Sequence, residues 1–184
     1  MYSRPSLILR CTALIALAAT TASIATPAAS GSRDRDFFEQ VAGNWSGPGE
    51  IVAGKYKGTK FTCDLNGESA RTTQAGITLD GFCRVGVFKQ PMKAVITKTA
   101  KGYGGTFLDG ADGKGLDIVS GKVSSDRVVV GINRKKLNGA MIARLHDANS
   151  MNITISVKVE KTMVPVIGVS LNRKVDEIAV GSIK

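Results

Sequence analysis

The sequence has few of the side chains that carry out chemistry. Its 184 residues include one histidine, His146, and three cysteines. One imidazole beside paired cysteines cannot supply the ligand set of a metal centre. No Gly-x-Ser-x-Gly nucleophile elbow occurs, and Tyr103-Gly104-Gly105 is not followed by the Lys-Ser/Thr pair of a phosphate loop. We therefore predict a protein that is not an enzyme, with no catalytic residue, metal or cofactor, and with His146 as a surface or hydrogen-bonded side chain.

Oxygen ligands for calcium and aromatic platforms for nucleic acid are also scarce. The loop Asp109-Gly110-Ala111-Asp112-Gly113, with Asp117 beyond it, lacks the alternating ligands and the terminal Glu of an EF-hand. It is typical of a glycine-rich hairpin turn. Aromatic residues make up 5% of the chain, and few lie among its basic residues, so the stacking surfaces that hold single-stranded nucleic acid are missing. A nucleic-acid partner is not expected.

The first 30 residues have the organisation of a secretory signal peptide. Met1–Arg10 carries Arg4 and Arg10 and no acidic residue, and an apolar run from Cys11 to Ala25 follows it and ends in small residues. A run of about 15 residues is too short to span a bilayer. We predict residues 1–30 as signal peptide and cleavage region, a periplasmic or secreted location, and a mature chain without a transmembrane segment.

The remaining chain consists largely of short segments with alternating polarity. In Met151–Val159 every odd position is apolar and every even position polar, which is the period of a half-buried strand. About ten such segments occur, and 21 glycines against 5 prolines favour tight turns. Gln90-Pro91 is expected to separate two strands, since proline is typical of turns and edges.

These segments predict an all-β fold, an antiparallel up-and-down barrel of about 8–10 strands spanning residues 43–174. A barrel is favoured over a sandwich because closure removes exposed sheet edges. Residues 31–42 are expected to form a charged lead-in with one helical turn from Phe37 to Ala42. Residues 175–184 are expected to form a C-terminal tail.

The only tryptophan, Trp45, stands between glycines at the start of the first strand. A large ring at that position suits a plug that closes one end of a barrel, and Gly43 and Gly47 allow neighbouring backbones to approach it. Trp45 is therefore a candidate structural residue.

Two cysteines remain once Cys11 leaves with the signal peptide, and an even pair in an exported chain is typical of a disulfide. Cys63 and Cys83 lie in phase on successive strands, with Thr73 midway between them in a polar turn. A hairpin of these strands would bring them opposite one another, so the sequence predicts a Cys63–Cys83 bond.

The segment Gly43-Asn44-Trp45-Ser46-Gly47, the two cysteines and the terminal Leu171-Asn172-Arg173 together resemble small exported lipocalin-like (calycin-type) barrels of Gram-negative bacteria. In lipocalins the first-strand tryptophan packs against a basic residue of the last strand. The resemblance therefore implies that Trp45 stacks on Arg173 as a structural cap.

Two related kinds of barrel imply more specific roles. Periplasmic metalloprotease inhibitors have a similar Trp and disulfide layout and insert an N-terminal trunk into the enzyme, which leaves a protease-inhibitor-like barrel as one alternative. Nitrobindin-like barrels bind haem through a histidine near the C-terminus, and His146 lies one or two strands too early for that role.

The net charge of +10, or +8 after removal of the leader, is the compositional outlier. Arg134, Lys135 and Lys136 form a basic turn that either contacts anionic surfaces or keeps the protein soluble. Our leading hypothesis is a non-enzymatic barrel that binds a small apolar or amphipathic ligand or a protein partner, through residues that the sequence does not identify. The alternative is an envelope-interaction protein that binds anionic surfaces through its basic face.

Overall fold

The structure, a computed structural model, describes residues 28–71, 74–108, 116–135 and 137–174. One helix precedes ten strands. The elements are α1 Ala28–Val41, β1 Gly43–Ile51, β2 Lys60–Ser69, β3 Gly76–Val85, β4 Phe88–Thr99, β5 Gly102–Leu108, β6 Leu116–Val123, β7 Arg127–Arg134, β8 Leu137–Leu145, β9 Ser150–Val159 and β10 Thr162–Arg173.

The ten strands form a closed antiparallel barrel in which each strand pairs with its neighbours along the chain. The ring closes where β1 pairs with β10, and Trp45 stands opposite Arg173 in that register. This confirms the predicted all-β up-and-down barrel at the upper end of the expected strand number. The closed ten-stranded barrel is compatible with a lipocalin-like fold.

Alternation of side chains explains why these segments form a barrel. In β9 the apolar Met151, Ile153 and Ile155 are buried, whereas the polar residues between them are more exposed. The same period runs through β7, where Val128, Val130 and Ile132 face the interior. Each strand therefore places one apolar face inside the barrel and one polar face outside.

The expected break at Gln90-Pro91 is wrong, because β4 is continuous from Phe88 to Thr99. Pro91 pairs with Phe82 of β3, but β4 pairs with β5 only from Lys93 onward. The stretch 88–92 thus has a ladder partner on one side among the described residues. Proline fits such an edge-like stretch, because an N–H pointing away from the sheet is not needed there.

The N-terminal helix is longer than the single turn expected from Phe37 to Ala42. It covers 14 residues and includes Gly31–Asp36, which were expected to form a flexible lead-in. One face of the helix is buried, and its residues have the i, i+3, i+4, i+7 spacing of a helical face. They are Asp34, Phe37, Phe38 and Val41. Gly43, with φ of 121°, follows the helix and turns the chain into β1.

The two ends of the barrel differ. The closed end is the one at which α1 packs on β2 and β3, together with the β2–β3, β4–β5, β6–β7 and β8–β9 connections. The open end carries the β1–β2, β3–β4, β7–β8 and β9–β10 connections. The sequence assigns residues 1–30 to the signal peptide and cleavage region and residues 175–184 to the tail. Of these, residues 1–27 and 175–184 lie outside the described residues, and α1 begins at Ala28, within the predicted cleavage region.

Candidate ligand-binding cavity

Trp45 is fully buried at the closed end, as the plug interpretation requires. Its indole N–H donates a hydrogen bond of 2.8 Å to the backbone carbonyl of Val41, in the last turn of α1. A buried indole needs such an acceptor, and the bond also attaches the helix to the barrel. Gly47 makes room nearby, since a Cβ there would overlap the carbonyl oxygen of Ser170.

Arg173 covers the ring of Trp45, with the guanidinium carbon 4.3 Å from the ring centroid. The guanidinium also donates to three backbone carbonyls, those of Gln40 at 2.6 Å, Ala42 at 2.6 Å and Ala148 at 2.9 Å. The contact that the resemblance implied is therefore present. The last strand, the helix end and the β8–β9 turn are joined by one side chain.

A polar cluster lies beneath the helix and was not expected from the sequence. The carboxylate of Asp34, only 8% exposed, accepts hydrogen bonds of 2.7 Å from the Lys98 ammonium and of 2.7 Å from the Tyr103 hydroxyl. Burial of the phenol, followed by its bond to the Asp34 carboxylate, raises the pKa of Tyr103 well above its ordinary value. The cluster fastens α1 to β4 and β5.

Two further basic residues contact Asp64 of β2, Lys174 from just after β10 and Arg84 from β3. Lys174 lies 2.6 Å from one carboxylate oxygen of Asp64, and Arg84 lies 3.0 Å from the other. Hydrogen bonds from Lys174 and then from Ser46 lower the pKa of Asp64. These ion pairs are partly exposed and therefore stabilise the fold only modestly.

The predicted disulfide is confirmed. Cys63 of β2 and Cys83 of β3 stand opposite each other in the register and are bonded, closing a segment of 20 residues. Cys63 is buried, and both cysteines face the interior of the barrel.

The interior of the open half is a cavity of about 850 Å³. Its wall is apolar, with the aromatic rings of Phe61 and Phe107 and aliphatic side chains from the surrounding strands, Met141 and Ile155 among them. Cys63 and Cys83 form part of this wall. Such a cavity is within the size range of sites that enclose a small organic molecule.

Most polar residues that line the cavity lie toward its mouth, whereas Lys93 lies further along β4. Lys89, Gln90 and Arg134 line the mouth at the open ends of β4 and β7, and Tyr56 of the β1–β2 connection stands beside them. Below this level the side chains are almost all apolar. The arrangement can hold an apolar body inside and a polar or anionic end at the mouth.

The chain matches no known protein-family model, and no curated protein matches it in sequence. Among the residues that the structure describes, no helix is long and apolar enough to cross a membrane.

The basic turn occupies the open end of the barrel. Arg134 is the last residue of β7 and reaches the cavity mouth, whereas Lys135 is exposed in the turn with φ of 54°. Lys136 lies outside the described residues. The structure therefore places Arg134 and Lys135 beside the cavity, which the sequence did not indicate.

The other residues that the sequence analysis considered for metal binding or catalysis do not lie together in the described structure. His146 is exposed in the β8–β9 turn, where its backbone N–H bonds the carbonyl of Ser150. Asp147 accepts from the Ser150 hydroxyl and the Asn149 N–H, bonds that lower the pKa of its carboxyl. Asp117 is exposed in β6, while Asp109 and Asp112 lie outside the described residues. Within the described ranges, no three His, Cys, Asp or Glu side chains are grouped as metal ligands would be.

Proposed function

We propose that this chain is an exported, non-enzymatic lipocalin-like barrel that binds a small apolar or amphipathic molecule in its open half. The observation that carries the proposal is the apolar cavity of about 850 Å³. Burial of a ligand's apolar surface in such a space contributes roughly 25 cal/mol per Å² before the costs of binding are subtracted. The site needs no catalytic group for this role.

The cavity mouth supports the amphipathic form of the ligand. Arg134 and Lys89 lie where the barrel opens, and the wall below them is apolar. An acyl chain or a ring system would occupy the wall region, with its acidic or polar end at the two cations. Charge-assisted hydrogen bonds of this kind are stronger than neutral ones and would orient the ligand.

Export to an oxidising compartment agrees with the Cys63–Cys83 bond, since such bonds persist outside the reducing cytosol. The predicted signal peptide points to the same periplasmic or secreted location. The Trp45–Arg173 cap supports kinship with lipocalin-like barrels of Gram-negative bacteria.

A titration with the fluorescent probe N-phenyl-1-naphthylamine tests the proposal. We expect one saturable site per chain, and we expect Ala94→Phe to weaken binding at least tenfold because Ala94 lines the cavity. Ala140→Phe makes the same change on the outer wall of β8 and should leave binding unchanged. Thermal unfolding checks that each variant is folded, and Met92→Trp, nearer the mouth, replaces Ala94→Phe if that variant does not fold.

Absence of saturable binding by the folded wild-type chain, or equal binding by both Ala→Phe variants, would contradict the proposal. Native mass spectrometry of protein purified from its own host complements the titration. A retained small molecule would supply the chemical identity of the ligand.

A second candidate function is contact with anionic envelope components through the basic face. It is favoured by the position of Arg134 and Lys135 at the open end. Replacement of Arg134, Lys135 and Lys136 by Gln should then reduce salt-sensitive binding to lipopolysaccharide. A protease-inhibitor-like role is less favoured, because Phe37 and Phe38 of α1 are buried against the barrel and not free to enter an enzyme.

A further inference from the structure

Exposed apolar side chains are concentrated at the open end of the barrel. Of the eleven large hydrophobic residues that are exposed in the described chain, nine lie in the open-end connections or the strand ends beside them. Val87 is 91% exposed, Phe88 78% and Tyr56 63%, the highest values of the set. Val87 and Phe88 form the tip of the β3–β4 hairpin. Side chains this apolar and this exposed mark an interaction surface.

Basic residues surround these tips. We call the following set the rim: Lys55, Tyr56, Lys57, Lys60, Val87, Phe88, Lys89, Arg134, Lys135 and Lys161. Glu50, Asp117 and Glu160 are the acidic residues at this level of the described chain. The connection between 108 and 116, outside the described residues, adds Asp109, Asp112 and Lys114 to the sequence. The open end therefore keeps a net positive charge whether or not the residues of that connection are counted.

This combination fits a bilayer better than a protein partner. Lysine is depleted from protein–protein interfaces, whereas aromatic and aliphatic tips surrounded by lysines are typical of surfaces that lie in the headgroup region of anionic membranes. The closed end offers a contrast, because there the charges are mixed in sign and Asp34, Phe37 and Phe38 are buried.

We propose that the rim docks on an anionic lipid bilayer, with Val87 and Phe88 inserted among the acyl chains and the lysines on the headgroups. Docking in this orientation places the cavity mouth against the membrane, so that the ligand is taken from or delivered to the bilayer. The docking step develops the second candidate function and does not depend on ligand binding, whereas the transfer step rests on ligand binding in the cavity.

Vesicle flotation tests the docking. The full mature chain should bind vesicles of phosphatidylcholine mixed with phosphatidylglycerol, and bind vesicles of phosphatidylcholine alone much more weakly. Val87→Asp should reduce binding to the mixed vesicles roughly tenfold or more, because it removes a buried apolar contact and adds a repelled charge. Val119→Asp changes the same residue type on the exposed outer wall of β6 and should bind as the wild type does.

Charge and insertion are measured separately. Each of Lys55→Gln, Lys57→Gln and Lys135→Gln should reduce binding roughly fivefold, the effect of one basic residue near an anionic surface. In Phe88→Trp the new indole should shift its emission to shorter wavelength on vesicle addition and be quenched by brominated acyl chains. Trp45, buried at the closed end, should report no change of its own in the wild-type chain.

Different results would contradict ligand binding in the cavity and docking of the rim on a membrane. The cavity variant Ala94→Phe should still float with the vesicles, and Val87→Asp should still bind N-phenyl-1-naphthylamine in solution. Equal flotation of Val87→Asp and Val119→Asp, or a Phe88→Trp emission unaffected by vesicles, would overturn the docking. A dimer that Val87→Asp dissociates, with no vesicle binding, would also overturn it and assign the rim to a second copy of this chain.

Discussion

The closed and open ends of this barrel are built from opposite kinds of contact. At the closed end Trp45 is fully buried, Arg173 bonds three carbonyls, and Asp34 holds both Lys98 and Tyr103. At the open end the interior is a cavity, and Val87 and Phe88 are exposed. One end of the barrel supplies stability, which leaves the other end free to keep an unfilled interior and apolar tips.

Removal of the Trp45 ring should cause the largest loss of stability at the closed end. Trp45→Ala should lower the free energy of unfolding by roughly 3–5 kcal/mol, the range for truncating a buried large aromatic. Tyr56→Ala, an aromatic truncation at the open end, should change the free energy of unfolding by no more than about 0.5 kcal/mol, because the Tyr56 ring is exposed. Urea unfolding followed by circular dichroism measures both. Similar losses for the two variants would show that stability is not concentrated at the closed end.

The disulfide is a stabilising covalent link in the wall of the cavity. Cys63→Ala/Cys83→Ala should lower the free energy of unfolding by about 3 kcal/mol, the chain-entropy value for a loop of this length. Reduction of the wild-type protein should lower it by a similar amount. Thiol labelling of the unreduced, denatured wild type serves as the control, and two reactive thiols there would contradict the bond.

At the closed end, ionisation of Tyr103 at alkaline pH should have a smaller effect on stability. Because the folded-state pKa of Tyr103 is raised, its neutral phenol stabilises the fold below the ordinary value of about 10, and this contribution is lost as the pH rises above it. Asp34→Asn should bring that pKa back toward the ordinary value and cost about 1 kcal/mol at neutral pH. Absorbance of the phenolate in a Tyr56→Phe background follows the titration. A Tyr103 that titrates identically with and without Asp34 would exclude the carboxylate as a cause.

The strands could be predicted because period-two alternation depends on neighbours in sequence. Met151–Val159 and the in-phase cysteines show it plainly, and both were correct. The length of α1 was missed because Gly31, Ser32, Asp34 and Asp36 have low helix propensity. A signal was present, since Asp34 stands in step with Phe37, Phe38 and Val41, and Lys98 stands in step with Ala94 and Ile96 on the inner face of β4.

The cavity and the rim could not be predicted from pattern alone. An inward apolar residue such as Ile155 looks the same in sequence whether it packs against another side chain or lines empty space. The rim joins four connections that are far apart in the chain, so its composition becomes visible only when the barrel is closed. Arg173 was identified through a family resemblance and not through spacing.

Closure of β1 on β10 determines the order in which the chain can fold. The bond from Arg173 to the carbonyl of Ala42 spans 131 residues, and it belongs to the strand that is synthesised last. Contacts between such distant residues slow folding, because loop closure must precede them. The ring therefore cannot be completed until β10 is present. The plug at Trp45 gains its Arg173 cover only at that final step, so a chain truncated before residue 173 should stay open and be susceptible to proteases.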